Sequence, residues 1–377
     1  MPGIHGTAGA WTLMFHGFAN LVYQAESGER GESETFSTNM AMFHADRSLG
    51  RGRFELRVMA SLEPTMGKSG YPLLLQTGET ADGRNPLFDR QHPHDLFMEI
   101  SARYERSGFF VYFAPVGEPA IGPSAFMHRL SAYDNPVAPL AHHWLDGAHI
   151  SHGVLTAGWQ HGGTWKLDGS IFNGREPDAE RWDFDGLDLD SFAARLTWNP
   201  TPRWSTQVSA AKVSAPDRLH PSLDVVRFTA SATYHRPMPR GYWQTTLAYG
   251  RNDTERLTAP PAFLPRGVHL HFTPGISPVQ HAILLETGLR FAVAHSIFGR
   301  AEWAEKNELF LAADRRHDVV YDVGKLSAGY LFDFLARPSF RAGAGSYASL
   351  LFIESELDFV YGRTPWSWGV FLRLTLE

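Results

Sequence analysis

Short runs of alternating apolar and polar residues recur from about Trp11 to Leu376. Alternation sends successive side chains to opposite faces of a strand. Between Trp11 and Gln24, one face carries Trp11, Leu13, Phe15, Ala19, Leu21 and Tyr23, and the other carries Met14, His16, Asn20 and Gln24. Between Arg53 and Leu62 the split is sharper. Phe54, Leu56, Val58, Ala60 and Leu62 alternate with Arg53, Glu55, Arg57, Met59 and Ser61. One face suits hydrocarbon and the other suits water or a polar interior.

The pattern predicts about sixteen strands. The others lie near 37–45, 96–104, 109–113, 149–160, 165–172, 189–198, 204–213, 225–234, 242–251, 282–293, 298–305, 320–334, 340–352 and 366–376. Their connections alternate long and short. Long loops on one side, tight turns on the other and an even strand count are what a transmembrane antiparallel β-barrel needs. With both termini periplasmic, the long connections are extracellular. The expected architecture is all-β, one barrel over residues 1–377. It has an N-terminal segment (1–10) and two long extracellular loops (64–95 and 114–147), partly folded into the lumen. The rival is a large soluble β-sandwich or solenoid, although no repeat period is visible.

Composition agrees with a barrel. Mean hydropathy is −0.24, which is low for a membrane protein, but only every second barrel residue faces lipid. No apolar run is long enough for a transmembrane helix. Aromatics make up 13%, with 11 Trp and 26 Phe, enough to furnish interfacial girdles. There is no cysteine, which removes disulfides and thiolate metal sites. A formal net charge of −6 leaves no basic footprint for nucleic acid. A barrel must be exported, and MPGIHGTAGA has neither a charged nor an apolar leader region. The expectation is a mature chain whose signal peptide has been removed and a start Met added. Motifs for a nucleophile elbow, a zinc protease or a phosphate loop are missing, so a non-enzyme is expected.

Three sets of residues carry candidate chemistry. Seven of the 18 histidines crowd between His92 and His152: His92, His94, His128, His142, His143, His149 and His152. All but His128 stand, with Asp95 and Asp146, in HPHD and HHWLDGAHISH, which end the two long loops. Imidazole with carboxylate suits zinc, copper or nickel. If the loops fold inward, the two segments should meet. His149 and Ser151 should share a strand face that His152 does not. The alternative is a set of hydrogen-bonded structural histidines. A second set, Met14, His16, Met40, Met42, His44 and Met59, falls on the inward phase of the first three strands. Thioether and imidazole together suit copper, but Met also fills gaps against a plug. Finally, Glu55, Arg57, Glu99, Arg103, Arg195, Arg227, Glu286, Arg290, Arg300, Glu302, Arg341 and Arg373 all fall on the inward phase. Such charges line selective pores and equally brace closed ones.

The segments QTGETADGRNPLFDRQHPHDLFMEISA, FMHRLSAYDNPVAPLAHHWLDGAHISHGV and GSIFNGREPD resemble a family of Gram-negative outer-membrane barrels of unassigned function. That family is associated with heavy-metal and copper-resistance gene neighbourhoods. The resemblance is close over roughly residues 70–180 and extends elsewhere by strand rhythm. It implies a barrel and a link to copper, and it carries over no binding residues. Leu376-Glu377 departs from the terminal aromatic that commonly ends such barrels, which bears on the assembly signal rather than the fold. Together these readings predict an outer-membrane channel, bathed in lipid, for small solutes or metal ions, with Cu ahead of Zn. The alternative is a plugged metal-binding or structural barrel.

Overall fold

Each alternating run pairs with its sequence neighbours and the last closes on the first. The computed structural model describes residues 3–256 and 279–376. Sixteen antiparallel strands form the wall: β1 (Trp11–Glu26), β2 (Ser33–Leu49), β3 (Gly52–Ala60), β4 (Phe97–Arg106), β5 (Phe109–Gly117), β6 (Ser151–His161), β7 (Trp165–Phe172), β8 (Ser191–Thr201), β9 (Trp204–Val213), β10 (Leu223–Met238), β11 (Gly241–Arg256), β12 (Val279–Phe291), β13 (His295–Lys306), β14 (Tyr321–Arg337), β15 (Phe340–Phe352) and β16 (Trp366–Leu376). The β16–β1 ladder runs from Leu376 opposite Gly17 to Ser367 opposite Glu26 and closes the barrel. Beyond it, the short strand Ile4–Ala8 pairs with Trp11–Phe15 and covers the edge that β16 leaves bare.

The phase follows the alternation. Leu56, Val58, Leu167, Phe192, Leu247 and Leu285 are exposed on the outside. Glu55, Met59, Asp168, Arg227, Thr246 and Glu286 are buried inside. An apolar belt of this kind is stable only against hydrocarbon. Trp165 stacks on Trp198 at 5.5 Å, and Trp204, Tyr234 and Trp243 continue the aromatic girdle beside the tight turns.

Several strands run past their expected ends, β2 over Ser33–Leu49 rather than 37–45 and β11 to Arg256 rather than 251, and two shifts bear on the candidate residues. β5 continues to Gly117 rather than stopping near Phe113, because Val116 and Gly117 pair with His152 and Ser151. β6 therefore begins at Ser151, and His149 lies in the preceding turn rather than on a strand face. The long loops, here L2 and L3, accordingly span 61–96 and 118–150. The Pro-rich connection between β11 and β12 lies largely outside the described residues.

L2 and L3 fill the loop end of the lumen. Leu73, Leu74 and Leu75 of L2 and Val137, Leu140 and Leu145 of L3 are fully buried against inward Ala248, Leu284, Phe298, Val323 and Leu351. Two wall glycines let the L3 backbone press close. A Cβ on Gly250 would meet the Trp144 carbonyl oxygen at 2.5 Å, and one on Gly288 would meet that of Leu130 at 2.5 Å. The tight-turn end is hollower. A cavity of about 340 Å3 lies among Gly122, His128, Arg129, Lys166, Arg195 and Gln207.

Candidate metal centre

The inward charges hold the loops. Arg129 of L3 donates from Nε to Glu286 Oε1 and from Nη1 to Asp146 Oδ2, both at 2.6 Å. Arg300 Nε lies 3.7 Å from the same Glu286 carboxylate and donates from Nη1 to the Val137 carbonyl at 3.1 Å. Glu302 accepts the Ala141 amide at 3.1 Å, and Arg195 donates to the Gly122 carbonyl at 3.1 Å. Charged hydrogen bonds of this kind are the stronger ones, so L3 is pinned to three strands, β8, β12 and β13. The remaining inward charges brace the wall itself. Arg290 and Arg341 share Asp333 at 2.5 and 2.9 Å. Glu55 bonds Arg57 and approaches His44, and Glu99 accepts from Ser101 and Tyr112. Arg103 pairs with Glu105, and Arg227 donates to Asn252. Arg373 lies over Phe18 and Tyr133 and donates to Asn20.

Pinned in this way, L2 and L3 bring the HPHD and HHWLD segments together. One ligand atom from each of His92, His142 and His143 lies within 4.8 Å of the other two. His142 and His143 open the single-turn helix α1 (His142–Leu145). His142 Nδ1 is 2.9 Å from Asp146 Oδ1, which orients the ring and leaves Nε2 as its ligand atom. Glu79 of L2 bridges the others, with Oε1 2.5 Å from His92 Nε2 and 3.0 Å from His143 Nε2. Glu176, from the β7–β8 loop L4, forms a second triad with Glu79 and His143. The centre thus offers three imidazoles and two carboxylates from three loops.

Electrostatics suit ligation. Burial pushes His92 down to about 4 against the pull of Glu79. Burial likewise lowers His142 against Asp146. Both rings are therefore neutral at pH 7, the form that binds metal. Burial disfavours ionised Glu79, yet the two imidazole partners outweigh it and hold the carboxyl well below its ordinary range.

The other sequence candidates separate from this centre. His94 Nδ1 bonds Glu63 at 2.9 Å. Burial opposes its charge, but Glu63 raises it above the ordinary value, so His94 is held as an ion-pair partner. His149 packs beside His142 and His94, at 5.0 and 5.2 Å between ring centres. Its Nδ1 is 2.7 Å from the Asp146 carbonyl oxygen, and burial holds it well below its usual value. Asp95 pairs with Arg181 at 3.1 Å. His152 faces Asp185 at 3.6 Å. His128 lies deeper, 6.4 Å from His16 between ring centres. Met40, Met42 and Met59 pack with Met98, Met127 and Ile150 in one apolar cluster under L3. Met14 sits apart, against Gly3.

No family model matches the chain, and no curated relative does. Solved structures do match. An anion-selective porin from Comamonas acidovorans superposes with a TM-score of 0.58 at 11% identity, covering 97% of this chain and 99% of the porin. OmpF of Salmonella typhi, in complex with daunomycin, gives 0.55 at 8% identity over 98% and 100%. The outer-membrane channel DcaP of Acinetobacter baumannii gives 0.54 at 9% identity over 100% of both chains.

The fold is that of the outer-membrane porins and channels.

At such identity the likeness extends to architecture alone, and the centre has to be read from its own residues. Glu79 and Glu176 are absent from the sequence-level candidates. They stand in TGET and GREPD, apart from any histidine, and no spacing marks them as ligands. The useful signal was coarser: both segments lie in loops flanking the histidine-rich stretch.

Proposed function

We propose that this chain is a porin-like channel of the Gram-negative outer membrane that passes divalent transition-metal ions, with copper favoured over zinc. The observation that carries the reading is the mutual approach, within 4.8 Å, of His92, His142 and His143 inside the lumen. Imidazole and carboxylate suit Cu(II) and Zn(II), and at equal geometry Cu(II) binds more tightly. Conduction needs a site that replaces hydration yet releases the ion. A centre carried on loops rather than on strands can relax to do so. The wall contacts lipid through its apolar belt, and L2 and L3 set what passes.

A second reading has its own support. The apolar packing of Leu73–Leu75 and Val137–Leu145 against the wall favours a plugged barrel that binds metal without conducting it. Planar-bilayer conductance separates the two. A metal channel carries current that micromolar Cu(II) or Zn(II) modulates, and the response disappears in His142→Ala/His143→Ala. Silence under every ionic condition, with metal binding intact, favours the plugged barrel.

A further inference from the structure

A second group of donors lies at the loop end, on different loops. L5 (214–222), between β9 and β10, brings His220. L7 (307–320), between β13 and β14, brings Glu308 and His317. One ligand atom from each lies within 4.8 Å of the other two. His220 Nε2 is 3.2 Å from Glu308 Oε1 and 3.8 Å from Asp217. Donors that share one tetrahedral ion at about 2.1 Å sit roughly 3.4 Å apart, so His220 and Glu308 already hold the spacing that an ion requires.

The local structure sets up this arrangement. The Glu308 amide donates to the His317 carbonyl at 2.8 Å, which folds L7 back so that two donors nine residues apart converge. His317 Nδ1 donates to the Phe310 carbonyl at 2.7 Å. That bond fixes the tautomer and makes Nε2 the ligand atom. Glu308 has a left-handed backbone, φ 58°. A side-chain-bearing residue keeps that conformation only where its surroundings hold it there, and such residues gather at functional sites. Its second oxygen, Oε2, is buried without a hydrogen-bond partner among the described residues. A buried carboxylate oxygen in that state is costly, and coordination to a cation offsets the cost.

We infer that His220, Glu308 and His317 form a second metal site, which takes a divalent first-row transition ion through two imidazoles and one carboxylate and ties L5 to L7 across the loop end of the barrel. The site shares no residue with the inner centre and does not depend on ions crossing the barrel. It is close enough to the inner centre for Asp217 to feel the charge of Glu176.

The test uses the full chain in detergent and Zn(II) alone. Calorimetry counts equivalents, and heat-modifiable gel migration confirms the folded barrel. Trypsin cleavage at exposed Arg315 reports the tie. Wild type takes two equivalents, and saturating Zn(II) slows cleavage at Arg315 by about tenfold or more, as expected when an ion stabilises the closed loop. Glu308→Gln keeps the side-chain volume, loses one equivalent and loses the protection. His220→Asn does the same from the other loop, which covers the case in which Glu308→Gln does not fold. His142→Ala/His143→Ala also loses one equivalent but keeps the protection at Arg315. Two equivalents retained in both Glu308→Gln and His220→Asn would overturn the inference, leaving His220 and Glu308 as an ion pair. So would a single wild-type equivalent that His142→Ala/His143→Ala abolishes. A single equivalent lost only with Glu308 and His220 upholds this site and removes the inner centre on which the proposed function rests.

Discussion

The two ends of this lumen are built from the same strands and differ in almost everything else. At the loop end, inward Leu284, Val323 and Leu351 are apolar and covered by L2 and L3. At the tight-turn end, Lys166, Arg195, Gln207 and Gln244 surround a cavity of about 340 Å3. The sheet does not change between the ends, so the wall is a frame and the loops decide closure and chemistry. Both candidate metal sites lie on loops, whereas the strands supply the charges that hold L3 in place. Strand residues are fixed by hydrogen bonds on both sides, and loops keep the freedom that an exchanging ligand site needs.

The strongest way to break this contrast is to remove the anchor that joins loop to wall. Glu286→Ala leaves Arg129 buried without its wall partner and Arg300 without its nearby carboxylate. Breaking a buried pair from one side costs about 3–5 kcal/mol. The expected result is a barrel that still migrates as folded but has an L3 open to protease and a raised bilayer conductance. Unchanged protease resistance would show that the apolar contacts alone seat the loop.

Next comes the frame itself. Leu56 faces out and Glu55 faces in. Leu56→Arg should impair assembly by about 2–4 kcal/mol if the residue lies near the bilayer midplane, and the lumen-facing Arg57→Leu should be much milder. Folding titrations in lipid vesicles rank the two, and the reverse order would invert the assigned phase.

A smaller perturbation acts at the close approach of loop and wall. Gly288→Val forces side-chain atoms toward the Leu130 carbonyl, and overpacking of this kind costs about 1–3 kcal/mol. It should loosen L3 and raise conductance while the gel-shift midpoint of the wall barely moves. A shift of the wall with no change in conductance would mean that the two ends are not separable.

Acid should loosen the loop end before the frame. Burial holds His92 and His128 at about 4 and lowers His142 and His149. The unfolded loops, with ordinary values near 6.5, bind more protons than the folded ones between about pH 6.5 and 4. Loop stability therefore rises with pH in that window and falls as pH drops through it. His94, raised by Glu63 against the effect of burial, takes up its proton above about pH 6.5 and changes its contribution only there. Asp95 and Glu118, which burial raises to about 7, add stability as pH falls through the window and offset part of the loss. Proteolysis of L2 and L3 across pH 7.5 to 4.5, with gel migration as the control for the wall, measures the difference. Flat loop proteolysis over that range would count against neutral buried imidazoles. Zn(II) heats from the inner centre should persist below about pH 6.5, because protons compete for its depressed His92 and His142 rings only at lower pH.

The smallest expected effect concerns the methionines. Replacing Met14, Met40, Met42 and Met59 with Leu conserves volume and should cost under about 1.5 kcal/mol per site. With Met40, Met42 and Met59 packed among apolar neighbours, copper-dependent current should not change. A lost Cu(I) response would make this cluster a second, softer part of the path.

Alternation alone placed the strands, because a barrel wall separates two solvents and every second residue must match one of them. Leu56 and Arg57 could be assigned to their faces from sequence for that reason. The alternation of long and short connections is local chain geometry, so it too was legible. The convergence of His92 with His142 and His143 was foreseeable only as a consequence of loops folding inward. Which histidines would meet was not, since His94, His128 and His152 look equivalent in sequence and are drawn off by Glu63, His16 and Asp185. Glu308 and His220 carried no signal at all, and Glu79 and Glu176 only that of lying in loops beside the histidine-rich stretch. Their positions depend on how L2, L4, L5 and L7 pack across the barrel mouth, a non-local arrangement with no periodicity in the chain. Tertiary structure likewise decided that the inward charges grip loops, because the same Glu286 would line an open pore if Arg129 did not reach it.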